Sequence, residues 1–171
     1  MNEVFKNIKS RRSVRSFTAQ SISKEDLVQI AEAGAWAPTG NNRQSFRFTI
    51  LGREKIEALA NVVGAQIGDL AYDFYKPAAL ILVSNDRGNS NGLADCACAL
   101  QNIFLYAHSI GVGSVWINQF KLICDEAPVR AALGQIGIPA EHIVWGVAAL
   151  GYAEQKNVTE PPRKAVIHFV E

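Results

Sequence analysis

At 171 residues, with 49% hydrophobic and 19% charged side chains, the chain suits one domain with a sizeable core. Its 17 basic and 16 acidic residues leave a net charge of +1, which argues against a surface built to grip nucleic acid or acidic membranes. No apolar run approaches the roughly 18 residues of a membrane span, and Met1-Asn2-Glu3-Val4-Phe5-Lys6 lacks the apolar stretch of a secretory signal.

In chain order, Glu3 to Arg11 reads as a short helix with Val4, Phe5 and Ile8 on one face. Ser23 opens a second helix as N-cap, with Asp26 three residues on in a variant of the capping box. Leu27, Ile30, Ala31, Gly34 and Ala35 keep helical spacing until Ala37-Pro38 stops the run. Phe46, Phe48 and Ile50 alternate with Arg47 and Thr49, which predicts a half-buried strand, and a helix from about Glu54 to Val63 follows. Ala78 to Val83 is continuously apolar, as in a strand buried on both faces. Leu93 to Ala107 leaves little polar face and predicts a central helix, inside which Asp95, Gln101 and Asn102 need partners.

Val112 to Ile117 and Ile143 to Leu150 are the next strands. A helix around Ala127 to Leu133 lies between them, with Asp125 as its cap. Val166 to Val170 alternates as a terminal strand after the breaker Pro161-Pro162. Helices and strands that mix without strict alternation indicate an α+β fold, and with no repeat or linker in sight a single domain over 1–171 is expected.

Three segments carry candidate chemistry. Arg11-Arg12-Ser13-Val14-Arg15 puts three guanidiniums and a hydroxyl within five residues. If extended, it turns Arg11, Ser13 and Arg15 to one side and Arg12 to the other. Planar guanidiniums suit a phosphate, although an exposed basic helix end would give the same residues. Pro38-Thr39-Gly40-Asn41-Asn42-Arg43-Gln44 is either a plain helix-to-strand turn or an amide-rich loop able to approach a planar ligand closely. Gly111-Val112-Gly113-Ser114-Val115-Trp116-Ile117-Asn118-Gln119 joins a strand to a loop, its glycines permitting tight packing.

Other signals are bland. Three cysteines, an odd number, argue against a disulfide framework and for a reducing, cytoplasmic compartment. Cys96 and Cys98 point apart on one helix and read as buried small residues, and Cys124 has no visible partner. His108, His142 and His168 show no metal-ligand spacing, so no metal site is expected. Gly111-Val112-Gly113 precedes a strand and not a helix, which argues against a Rossmann nicotinamide site.

Taken together, the arginine segment and the proline-amide loop resemble the two flavin-gripping signatures of the nitroreductase family, and the similarity runs over nearly the whole chain. The resemblance implies a central, mostly antiparallel sheet flanked by helices, with the C-terminal strand exchanged between the subunits of a homodimer. It implies FMN as cofactor, with Arg11 on the phosphate, Ser13 on the ribityl hydroxyls, Arg15 at the pyrimidine edge, and Arg12 in the same segment. Pro38, Thr39, Gly40, Asn42 and Gln44 would contact the flavin held chiefly by the other subunit. Ser45-Phe46 replaces the family's usual Pro-Trp after this loop.

Trp116, Ile117, Asn118 and Gln119 would pass behind the flavin, a backbone N–H near Asn118 or Gln119 meeting N5, where relatives often carry glycine. Arg163 and Lys164 resemble a second phosphate contact. The implied activity is ping-pong transfer of hydride from NAD(P)H to electron-poor acceptors such as nitroaromatics or quinones, with no protein acid or nucleophile required. Alternatives are a same-fold flavoenzyme of different chemistry, such as flavin destruction or reductive dehalogenation, and a non-enzymatic flavin-binding module.

Overall fold

A computed structural model describes residues 1–155 and 162–171. Four strands, β1 (Phe46–Gly52), β2 (Ala79–Asp86), β3 (Gly113–Ile117) and β4 (His142–Gly151), form one sheet in the order β1-β2-β4-β3. All three ladders are antiparallel. Alternation along β2 explains how the sheet divides two cores. Leu80 and Leu82 face one side, where α3 (Arg53–Ile67), the short α5 (Phe120–Ile123) and α6 (Ala127–Gln135) contribute Leu59, Val63, Phe120 and Leu133. Ile81 and Val83 face the other, against Ile30 of α2 (Lys24–Ala35) and Leu100 and Ile103 of α4 (Gly92–Ser109). The expected α+β class and the strand buried on both faces are what the structure has.

Local signals act as read at the start of α2, where the Ser23 hydroxyl accepts from the Asp26 N–H at 3.0 Å. Elsewhere the structure corrects the reading. α1 (Glu3–Ser10) ends one residue early because Arg11 leaves helical geometry while its N–H still bonds to Asn7 O. α3 runs on to Ile67 because Gly68, in the left-handed region at φ 75°, is where the chain can turn out of it. Asp125 is not the cap of α6; its carboxylate is taken by Arg87 and Arg130, at 2.8 and 2.7 Å. Those two partners hold its pKa well down, to about 2.

The three polar expectations for α4 divide. Asp95 is buried and partnered, and Asn102 donates to Ala33 O, but Gln101 faces out. Cys98 is exposed where a buried residue was expected, because i and i+2 fall on different faces of the helix. Residues 162–171 form no strand and add to neither edge of the sheet. Val166, Ile167, Phe169 and Val170 are consequently exposed, as is the Val4-Phe5-Ile8 face of α1. Pro161 of the expected breaker lies outside the described residues. Among the described residues no helix is long and apolar enough to cross a membrane.

Candidate active site

The arginine segment lies where α1 ends and the chain turns along the outer edge of β3. Ser13 bridges Ser114 in parallel, Val14 N–H donates to Ser114 O at 2.9 Å, and Phe17 bridges Ala153. The segment is therefore extended from Ser13 onward. Arg11 and Arg12, which alternation would place on opposite sides, instead line one cleft of about 340 Å³ with Ser10, His108, Gly113 and Ser114. Arg11 is still the helix cap, so alternation begins only after it. Ser13 and Arg15 line the neighbouring cleft with Ser16 and Gln155, and Val14 borders both.

The first cleft is electropositive. The Arg11 guanidinium carbon sits 6.0 Å from the centre of the Phe104 ring. Burial, then the charges of Arg12 and Arg163, lower the Arg11 pKa. Arg163 thus acts on Arg11 within one chain despite the 152 positions between them. Lys164 beside it is exposed. Arg12 donates through Nη1 to the carbonyls of Lys9, at 2.5 Å, and Arg11, at 2.8 Å.

His108, in the last turn of α4, meets the Ser10 hydroxyl through Nε2 at 2.8 Å. Its pKa is lowered by burial and then by Arg11 and Arg12. Ser114 is buried, and its hydroxyl finds no hydrogen-bond partner among the described residues. None of the described residues lining the cleft is acidic. Two cations, a third close by and an unsatisfied hydroxyl without a competing carboxylate suit a phosphate monoester.

The amide-rich loop is shaped by its polar contacts. Gly40 N–H donates to Asp95 Oδ1 at 3.0 Å, and Asp95 Oδ2 accepts from Asn89 Nδ2 at 2.9 Å. A Cβ on Gly40 would stand 2.2 Å from Asn91 Nδ2, so a larger residue there would have to displace the Asn91 side chain. Gln44 N–H donates to the Thr39 hydroxyl and its side-chain amide to Asn42 Oδ1, at 3.1 and 2.8 Å. Asn41, Asn42 and Gln44 all have φ of 50–54°, left-handed backbone that asparagine tolerates and glutamine seldom adopts. Pro38, Asn42 and Gln44 are exposed, whereas Thr39 and Gly40 are half-buried.

At the end of β3, Val115 and Ile117 enter the α3-side core, so Trp116 falls on the α4 face, its ring 6.1 Å from that of Phe104. Trp116, Phe104 and Arg11 thus form a chain of contacts. Asn118 is exposed, and its N–H donates to Gln119 Oε1 at 3.1 Å.

One separation governs the site. The amide loop is tied to Asp95 in the first turn of α4, whereas the arginine cleft adjoins His108 in its last turn. At 1.5 Å per residue these lie about 20 Å apart along the helix. One copy of the chain does not bring its two signatures together.

Sequence reasoning missed His108, Ser114 and the Asn89–Asp95 support of the loop. His108 and Ser10 are separated by 98 positions, and no local pattern relates them. Asp95 had one signal, a carboxylate in an apolar helix, which called for a partner without naming it.

Comparison with known proteins assigns residues 8–79 and 69–152 to the nitroreductase family. A nitroreductase from Bacteroides fragilis, solved with bound FMN, is 37% identical, with a TM-score of 0.92 and 100% of each chain covered. Another from Desulfitobacterium hafniense, also with bound FMN, is 28% identical at a TM-score of 0.85, again over 100% of each chain. The FMN reductase [NAD(P)H] of Bacillus subtilis is 36% identical over 98% of this chain and 74% of its own. With the matched segments spanning most of its length, this chain belongs to the nitroreductase family.

Proposed function

We propose that the protein is an NAD(P)H-dependent FMN oxidoreductase that works as a homodimer, reducing electron-poor acceptors such as nitroaromatics and quinones in a ping-pong cycle. Similarity to the FMN reductase of Bacillus subtilis and to the FMN-bound nitroreductases supports the activity and the cofactor. The observation that carries the assignment in this chain is the cleft itself, lined by Arg11, Arg12 and Ser114 with no acidic lining among the described residues.

Arg11, Arg12 and Arg163, with Lys164 beside them, would hold the phosphate, Ser13 the ribityl hydroxyls and Arg15 the pyrimidine edge. FMN when bound supplies the hydride chemistry at N5. The protein positions donor and acceptor against it in turn: Trp116 and Ile117 lead the backbone to the ring, and rotation of the Gln119 side chain would free the Asn118 N–H as a donor. A cation at Arg15 favours the negative charge that reduction places on that edge.

The dimer follows from the 20 Å problem. Pro38, Thr39, Gly40, Asn42 and Gln44 would serve the flavin held by the other copy, which brings both signatures to one cofactor. The exposed apolar faces of α1 and of residues 166–170 give a second copy surface to cover. Residues 13 and 14 occupy the outer edge of β3, whereas the outer edge of β1 has no ladder partner among the described residues. We take β1 as the edge that receives the partner's C-terminal strand.

The test is direct. The purified protein should be a yellow dimer releasing one FMN per chain on denaturation, and NADH or NADPH should bleach it anaerobically. A colourless monomer that reconstitution cannot load with FMN overturns the assignment.

A further inference from the structure

We propose that His108 is a protonation-dependent member of the phosphate cleft: as an imidazolium it adds positive charge beside Arg11 and Arg12 and turns the Ser10 hydroxyl into a donor toward the cleft, so FMN binding takes up a proton and tightens as pH falls. The inference rests on the flavin assignment above and extends it to a residue outside the two family signatures.

The geometry makes the histidine and the serine a unit. A hydroxyl 2.8 Å from Nε2 can donate to a neutral ring nitrogen, which directs its proton away from a ligand. An imidazolium carries hydrogen on both nitrogens, so Nε2 must donate and the hydroxyl must accept. The hydroxyl proton is then available to another acceptor, where a phosphate oxygen competes with the Asn7 carbonyl at a long 3.3 Å, and both Ser10 and His108 line the arginine cleft.

The electrostatic environment sets the direction. The α1 end presents Ser10, Arg11 and Arg12 to the ring; the Gly111–Ser114 stretch and Ala153 present no charge; Arg163 acts through its effect on Arg11. Burial and the two arginines disfavour the imidazolium in the free cleft. The carbonyl end of α4 favours it, and an arriving phosphate dianion reverses the arginines' repulsion. The bound-state pKa therefore lies above the free-state value, and affinity rises as pH falls through the first toward the second. Titration of the phosphate itself works the other way, since a protonated phosphate binds cations less strongly.

The experiment measures FMN dissociation constants by flavin fluorescence on dilution of the holoprotein, for wild type and His108→Gln, from about pH 8.5 to about pH 5.5. The ratio of variant to wild-type constants should rise as pH falls, by about tenfold for a one-unit difference between free and bound pKa. Calorimetry in two buffers of different ionisation enthalpy should show wild type taking up more protons than the variant. Should His108→Gln not fold, the imidazole of wild-type His108 is followed by NMR and should titrate at higher pH with FMN than without. A flat ratio, or a ring whose titration ignores FMN, overturns the role of His108 while leaving the flavoprotein assignment standing. Failure to bind FMN at any pH overturns both.

Discussion

The backbone N–H of Gly40 rests on the carboxylate of Asp95, 3.0 Å away, and this bond fastens the amide-rich loop to the first turn of α4. The same carboxylate holds Asn89 through its other oxygen, so both of its oxygens are engaged in a buried setting. Asp95→Asn keeps the shape and replaces one acceptor by an NH2 group, which must face a donor. That loss should cost about 1–3 kcal/mol in thermal or denaturant unfolding. Because the loop is assigned to the partner's flavin, FMN should also dissociate faster. Wild-type flavin retention in this variant would detach the loop from the cofactor.

Arg11 and Arg12 border the same cleft but are held differently. Arg12 is tied to two backbone carbonyls, whereas Arg11 lies over Phe104. Arg11→Ala should therefore weaken FMN binding at least about tenfold, in line with loss of a charge-assisted bond of about 1.5–3 kcal/mol. Arg12→Ala should weaken it less and lower stability slightly through the lost carbonyl contacts. Equilibrium titration with FMN, with the fold checked by circular dichroism, separates the two. Equal losses would mean that the carbonyl contacts do not hold Arg12 back from the ligand.

Ser114 offers a test in which stability and binding move in opposite directions. Its buried hydroxyl has no partner among the described residues, a state that costs the folded protein about 1–3 kcal/mol. Ser114→Ala removes that cost and should raise the melting temperature of the FMN-free protein. If the hydroxyl is kept for the phosphate, FMN affinity falls in the same variant. A gain in both properties would remove Ser114 from the site.

Removing residues 165–171 should leave the sheet and both cores intact, because none of these residues enters either core. The truncated chain should nevertheless shift toward monomer in analytical ultracentrifugation and retain FMN poorly, since in the proposed dimer each flavin site draws on both copies. An FMN-saturated dimer without these residues would exclude strand exchange as what holds the subunits together.

Short-range physics was written plainly in the chain. The Ser23 cap, the doubly buried β2 run and the apolar α4 each depend on neighbours within a few positions, and each formed where the pattern put it. The residue types suited to a phosphate and a flavin were legible for the same reason, because they sit in two short contiguous segments.

Tertiary structure decided what those segments are near. Arg12 joined Arg11 in one cleft because the chain leaves the helix at residue 11, and His108 and Ser114 entered that cleft from elements about a hundred positions away. Asp125 looked like a cap from its place before a helix, yet it bonds Arg87 and Arg130 because β2 and α6 bring both guanidiniums within reach. The length of α4, a rigid rod between the two signatures, is what holds them about 20 Å apart in one copy of the chain. Sequence fixes which groups a chain carries and how each turn begins. Their meeting points depend on distances set by packed helices and strands, which no local pattern encodes.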